Sequence, residues 1–574
     1  MPTRGIKLWH FALALALTGI IALMVLLNHR PPDPLPIDAA ATQFSAMRAK
    51  QDVAALTAFG PRPVGRDGKP HPESHRLARQ WVESRLRELG MTPEVQTGNV
   101  CEGGHCSEVE NVIARRPVEG EGAAREPVVL LSHYDSVARG PGAGDAAAGV
   151  ATVLEVVRAL NTQADWQRPL VVVIDDGEEA GLLGARLLPS HPQLRKVAAV
   201  LNHEARGTAG QTAMFETSRH STWIVEDYGH SVSRPVASSA IYPLYKLLPN
   251  DTDLTVLKAA GWRGLNFAFA ENEHLYHTAN DSLANLDLGS VQHMGDQSLA
   301  TTRALLARQT LPSDDRDGVW FDLFTRVFVL YRTPLAVGLG LLQGLLWLTA
   351  VGMLLRRQGR SGFRWLGAGL LRFLAVLVVS ALTGFVVIKS IGALSSVARP
   401  WRASPLPTWL ALSSLAASVA SLMQLGACRL SPPSSLRKLW GESVGTLLPW
   451  TALSLLLSLK VPDASYLFTL PALFASLAIL IGMWTVDRED QVGAALAVAL
   501  GAALPVVVIW LPLIRVLLVM AGANLHIAVT LPWAMLITLV DPLHRLFPVR
   551  LRLIVPCALA ILGVCAAAVA GFSR

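Results

Sequence analysis

The long uncharged runs of this chain bound what it can become: one lies near the N-terminus, from Leu8 to Leu27, and a succession of them begins at Val327 and continues to the end. A run of about 20 apolar residues matches the hydrocarbon thickness of a bilayer when helical. With 51% hydrophobic residues and a mean hydropathy of +0.39, 574 residues are too apolar for a soluble enzyme of that size. Three regions are expected: 1–30 as a cytoplasmic start and transmembrane anchor, 31–316 as a globular domain off the cytoplasmic side, and 317–574 as a transmembrane region of roughly eight helices.

Charge distribution sets the orientation. Arg4 and Lys7 precede the first run, and Asn28-His29-Arg30-Pro31-Pro32 after it lacks a small-x-small cleavage pattern, so an uncleaved anchor is expected rather than a signal peptide. Val327 to Leu355 would cross back and is followed by Arg356, Arg357, Arg360 and Arg364, which places that loop in the cytoplasm. Further spans are expected near 366–388, 407–427, 442–460, 464–484, 492–512, 522–541 and 553–572, with Arg437, Lys438, Arg545, Arg550 and Arg552 on the cytoplasmic side. Arg372 and Lys389 sit at the two ends of one span and are expected to snorkel, and Arg515 and His526 to anchor at interfaces. The net charge of +7 is thus explained by loops between spans, which argues for a lipid bilayer and against nucleic acid as partner. Of five cysteines, Cys428, Cys557 and Cys565 lie in or beside apolar runs, whereas Cys101 and Cys106 bracket a Gly-rich turn that could close as a disulfide.

The globular region alternates β-branched runs with amphipathic stretches, the pattern of an α/β fold with helices flanking a sheet. The clearest strands are Pro127–Leu131, Leu170–Ile174, Ala198–Leu201 and Leu265–Phe269, with helices over Ala146–Leu160 and Ala180–Leu188. Each strand leads into residues that can bind a metal, and open α/β sheets collect ligands at the carboxyl ends of their strands. The first leads into Ser132-His133-Tyr134-Asp135, where Asp135 can accept the second ring N–H of His133. Asp145, after Gly142 and Gly144, reads by itself as a helix cap. The second strand ends in Asp175-Asp176-Gly177-Glu178-Glu179, four carboxylates whose mutual repulsion a divalent cation would relieve, the other reading being a solvated acidic loop. Asn202-His203-Glu204 and Tyr276-His277-Thr278 follow the other two strands. His105, His203, His220, His230 and His274 fall outside this pattern as surface or packing residues, and Asp251 and Asp253 precede a helical stretch and most simply cap it.

The motifs SHYDSV, GAGDAAAG, DDGEEAGLLGA, NHEARG and LYHTAND, in that order, resemble peptidase family M28, the zinc aminopeptidases, over roughly Val53 to Leu305. The resemblance implies a mixed, mostly parallel sheet of the zinc aminopeptidase/phosphorylase-like type. It implies two zinc ions, with Asp145 bridging, His133 and Glu204 completing one site, and Glu179 and His277 the other. Glu178 would be the general base, Tyr276 a hydrogen-bond donor to the oxyanion, and Asp135 the residue that orients His133. The expected activity is removal of N-terminal residues from peptides. A non-catalytic receptor of the same fold and a single-zinc glutaminyl cyclase are the alternatives. Many soluble members have Asp where this chain has Glu204, and that Glu, with the anchor and the many spans, looks like the membrane-bound branch of the endoplasmic reticulum and vacuole. The Ala-, Leu- and Arg-rich composition instead suggests a bacterial inner membrane with the domain in the periplasm, a lumenal domain being the alternative.

Overall fold

Val128–His133 (β3), Leu170–Asp175 (β4) and Ala199–Ala205 (β5) are buried at every residue, as strands covered on both faces must be. In the computed structural model they form the centre of a seven-stranded sheet with Thr92–Glu102 (β1), His105–Arg116 (β2), Ala213–Thr217 (β6) and Gly264–Phe269 (β7), in the order β1-β2-β4-β3-β5-β7-β6. β4, β3, β5 and β7 run parallel, and β1, β2 and β6 extend the sheet antiparallel. The structure describes all residues except 1–7, 29, 163–165, 247–250, 313–316, 396–404, 431–435, 486–491, 522–526, 547–548 and 573–574. The chain divides into two units, His29–Arg332 and the combination of Met1–Asn28 with Thr333–Arg574.

Alternate residues of the central strands feed separate cores, as the two-residue side-chain period requires. Leu130, Val172 and Leu201 pack with the helices Ala46–Thr57, Gly149–Leu160 and Leu288–Ala307. Val129, Leu131, Val171, Val173 and Val200 pack on the other face with Ala185, Leu188, Leu254 and Leu257. Gly103 and Gly104 take positive φ angles of 58° and 84°, which lets β1 turn tightly into β2. Cys101 and Cys106 are directly opposed in that hairpin and joined by a disulfide.

Val327 does not begin a helix. Val327–Arg332 (β9) pairs with Gly318–Leu323 (β8), and the first long helix after the sheet domain starts at Thr333. The run Val-Phe-Val-Leu-Tyr is β-branched and aromatic, which suits a strand, and hydropathy alone does not separate it from the helix behind it.

Among the described residues of the second unit, six helices are long and apolar enough to cross a membrane: Thr333–Gln358, Arg360–Leu394, Leu406–Leu425, Arg437–Lys460, Pro462–Trp484 and Leu553–Phe572. Val498–Ile514 and Val529–Val540 are shorter apolar helices. Leu8–Asn28 is also a helix. Arg372 differs from the snorkelling expectation: it is buried and donates to Glu442 Oε2 at 2.8 Å, which also accepts from the buried Arg545 at 2.6 Å. A carboxylate on the helix Arg437–Lys460 satisfies these guanidiniums better than an interface would, because a buried charge needs a partner. His526 and the side chain of Arg515 lie outside the described residues.

Candidate metal centre

The parallel strands bring the polar motif residues to one edge of the sheet. His133 closes β3, Glu204 is the penultimate residue of β5, and the turn after β4 carries Glu178 and Glu179. His277 follows β7 after a single helical turn, Glu273–Leu275. Asp145 lies in the segment Ala143–Ala148, where its φ of −109° and ψ of 93° break the helical path, so the helix Gly149–Leu160 starts beyond it, with Ala148 in the cap position. The side chain therefore does not cap that helix and turns to the two imidazoles.

One ligand atom each from His133, Asp145 and Glu204 fall within 4.8 Å of one another, and the same holds for Asp145, Glu179 and His277. His133 Nε2 is 3.3 Å from Asp145 Oδ1 and 3.6 Å from Glu204 Oε2. His277 Nε2 is 3.1 Å from Asp145 Oδ2 and 3.0 Å from Glu179 Oε2. Asp145 thus gives one oxygen to each group.

These residues fit metal ions. His133 Nε2 and Glu179 Oε1 are buried with no hydrogen-bond partner, an arrangement that costs free energy unless something else occupies them. The Nδ1 of His133 lies 3.2 Å from the Asp135 carbonyl and 3.3 Å from its Oδ1, so Nδ1 donates there and Nε2 faces the cluster. Asp135 also accepts the backbone N–H groups of Glu178 at 3.1 Å and Glu179 at 3.2 Å, which ties the turn after β4 to the imidazole. One His and two carboxylates per group is a donor set suited to zinc.

Burial, then Asp145, pushes Glu179 up to about 8, and burial, then Glu204, pushes Glu178 well above the carboxylate range. Burial opposes ionisation of Asp145, yet the imidazoles of His133 and His277 beside it hold its pKa below the ordinary value. His277 is raised to about 10: burial lowers it, and Asp145 and Glu179 more than offset that. Tyr276 stacks on the His277 ring with centroids 3.7 Å apart, and burial, then Asp145, raises its phenol.

Two participants went unassigned in the sequence. Asp281, the last residue of LYHTAND, accepts the Gly144 N–H at 2.7 Å and the Asp145 N–H at 3.2 Å. Arg62, wholly buried, donates to the carbonyls of Tyr134 at 2.7 Å and Pro141 at 2.6 Å and so spans the loop between His133 and Asp145. Position in a motif could have flagged Asp281, whereas Arg62 lies outside every motif. His203 packs inside, with its ring nitrogens 2.9 Å from the Leu131 carbonyl and 2.7 Å from Ser298 Oγ.

His71, His75 and Asp176 form a third group of similar spacing. Gly65 N–H donates to His71 Nδ1 at 3.0 Å, so the neutral ring carries its proton on Nε2 and has no lone pair left for a metal. His75 Nε2 is 2.7 Å from Asp176 Oδ1, a buried hydrogen bond, while His75 Nδ1 and His71 Nε2 are buried without a hydrogen-bond partner.

The fold and the site define an α/β domain with a paired His–carboxylate metal site, joined in one chain to apolar, span-length helices. Residues 111–302 match the model of Peptidase family M28. It is 31% identical to a vacuolar membrane protease of Botryotinia fuckeliana over 58% of this chain and 34% of that protein. It is 29% identical to endoplasmic reticulum metallopeptidase 1 of Mus musculus over 52% of this chain and 35% of that protein. This chain therefore spans about a third of the length of these curated relatives. A solved glutaminyl cyclase of Porphyromonas gingivalis is 21% identical, covering 45% of this chain and 98% of that one, with a TM-score of 0.37. The relatives' names correct the expectation of a bacterial inner membrane with a periplasmic domain: they are eukaryotic vacuolar and endoplasmic-reticulum proteins.

Proposed function

We propose that this chain is a membrane-anchored two-zinc exopeptidase that removes N-terminal residues from peptides. The observation that carries the reading is Asp145, which belongs to both groups of ligand atoms and offers one oxygen to each. His133, Asp145 and Glu204 would hold one zinc, and Asp145, Glu179 and His277 the other. Zinc at these positions supplies Lewis acidity toward a peptide carbonyl and an activated water.

The residues around the ligands have separable tasks. Glu178 takes the proton of the attacking water and returns it to the leaving amine, a role that its burial suits by raising its proton affinity. Asp135 holds the His133 ring and the backbone of Glu178 and Glu179 in one hydrogen-bonded frame. Tyr276, kept protonated and stacked on His277, donates to the oxyanion of the tetrahedral intermediate. The Cys101–Cys106 disulfide supports an oxidising, non-cytoplasmic location for the domain.

Zinc analysis of the full chain in detergent, together with a screen of aminoacyl and dipeptide substrates, tests this reading. About two zinc ions per chain and hydrolysis of aminoacyl amides are expected. A single zinc with cyclisation of N-terminal glutamine would replace the reading with the cyclase alternative.

A further inference from the structure

Glu204 is anchored by a line of side chains that leads away from the metal residues and across two neighbouring strands. Its Oε1 accepts a hydrogen bond from Asn202 Nδ2 at 3.2 Å, from the residue two positions earlier on the same face of β5. The same Nδ2 donates to Asn266 Oδ1, on the adjacent strand β7, at 3.2 Å. Asn266 Nδ2 donates in turn to Glu216 Oε2 on β6 at 3.0 Å and to Thr252 Oγ1 at 2.6 Å. Glu216, wholly buried, forms an ion pair with Lys258, whose ammonium is also 3.4 Å from Tyr242 Oη.

The polarity of this line is fixed from its far end. Glu216 accepts from the Lys258 ammonium in a buried ion pair, and a carboxylate so paired only accepts hydrogen bonds. Asn266 must therefore turn its amino group to Glu216 and its oxygen to Asn202. Asn202 must then present its amino group, and the remaining N–H points at Glu204. Flipping either amide would set oxygen against oxygen in a buried place. One oxygen of Glu204 is thus occupied, and Oε2 is left 3.6 Å from His133 Nε2. A Glu side chain has more rotamers than an Asp, and the amide line selects one for Glu204.

We propose that Lys258, Glu216, Asn266 and Asn202 form a charge-oriented amide relay that keeps Glu204 Oε2 turned toward His133 and Asp145, where it would help to hold zinc. The proposal rests on the two-zinc reading above. The four are positioning residues, and Lys258 acts from the helix Asp253–Ala259 without touching a metal ligand.

Zinc affinity of the full chain in detergent, measured by competition with a chromophoric chelator, tests it, with thermal melting as a check on folding. Asn202→Ala is expected to weaken one of the two zinc sites 10- to 100-fold, and Lys258→Met about 10-fold. Lys258→Arg should stay close to wild type. In the double variant the Lys258→Met effect should vanish, because a relay already cut at Asn202 has nothing left to transmit. If Asn202→Ala fails to fold, Asn202→Ser replaces it, with the same expected direction. Folded variants with wild-type zinc affinity, or losses that simply multiply in the double variant, overturn the relay while leaving the two-zinc reading intact. A wild-type chain that binds no zinc overturns both.

Discussion

The carboxylate of Asp281 accepts the backbone N–H of Asp145 at 3.2 Å, and so fixes from below the residue whose two oxygens serve both ligand groups. It also takes the Gly144 N–H at 2.7 Å. Asp281→Ala leaves two buried N–H groups without an acceptor, each worth roughly 1 to 3 kcal/mol. The expected result is a lower melting temperature and zinc affinity reduced at both sites together, read by calorimetry and chelator competition. Loss at one site alone would contradict the shared position of Asp145.

Glu178→Gln keeps the size of the side chain and its backbone hydrogen bond to Asp135. It should retain near-normal zinc content and lose about 100- to 10,000-fold in kcat, the usual worth of a general base. Steady-state kinetics beside metal analysis separates the two quantities, and unchanged turnover removes Glu178 from the base role.

Chelation should abolish hydrolysis and also lower the melting temperature of the sheet domain. Without a cation, Glu178, Glu179, Glu204 and Asp145 crowd together in a buried site. A ligand that binds only the folded state stabilises it by about 2.7 kcal/mol at 100 times its Kd. Zinc added back should restore both signals in parallel.

His293 supplies a pH dependence remote from the metal residues. It is buried, its Nδ1 accepts the Thr212 N–H at 3.1 Å and its Nε2 donates to the Arg234 carbonyl at 2.9 Å, so the fold requires the neutral ring. Burial holds its pKa down at about 4. A histidine depressed in the folded state contributes stability that is complete above the unfolded pKa of about 6.5 and is lost as pH falls toward 4. The loss is on the order of 3 kcal/mol over that window. Urea melts at pH 7 and pH 4.5 should converge partially in His293→Gln relative to wild type.

In the helical unit, Glu442→Ala should destabilise by about 3 to 5 kcal/mol, because it removes a buried carboxylate shared by Arg372 and Arg545. Thermal melting in detergent reads this, and a change under about 1 kcal/mol would mean that the guanidiniums are satisfied elsewhere.

The α/β class and the family-like motifs were legible because buried parallel strands are written as uninterrupted apolar runs, each followed by its polar motif. Val327–Arg332 was misread as the start of a span because a β-branched run and a membrane run look alike until the partner strand Gly318–Leu323 is seen. Arg372 was misread because its partner, Glu442, is 70 residues away. Asp145 was ambiguous for a related reason: a cap and a ligand occupy the same sequence context, and only the interrupted helix distinguishes them.

Local periodicity and composition are enough to say which residue types stand at the strand ends and where lipid-compatible length occurs. That Asp145 faces two imidazoles, that Asp281 and Arg62 brace it, and that a line of side chains joins Glu204 to Lys258 become visible in the folded chain alone. Those facts depend on contacts among strands and loops far apart in the chain, where hydrogen-bond distance and direction are set by sheet register and burial rather than by any neighbour in sequence.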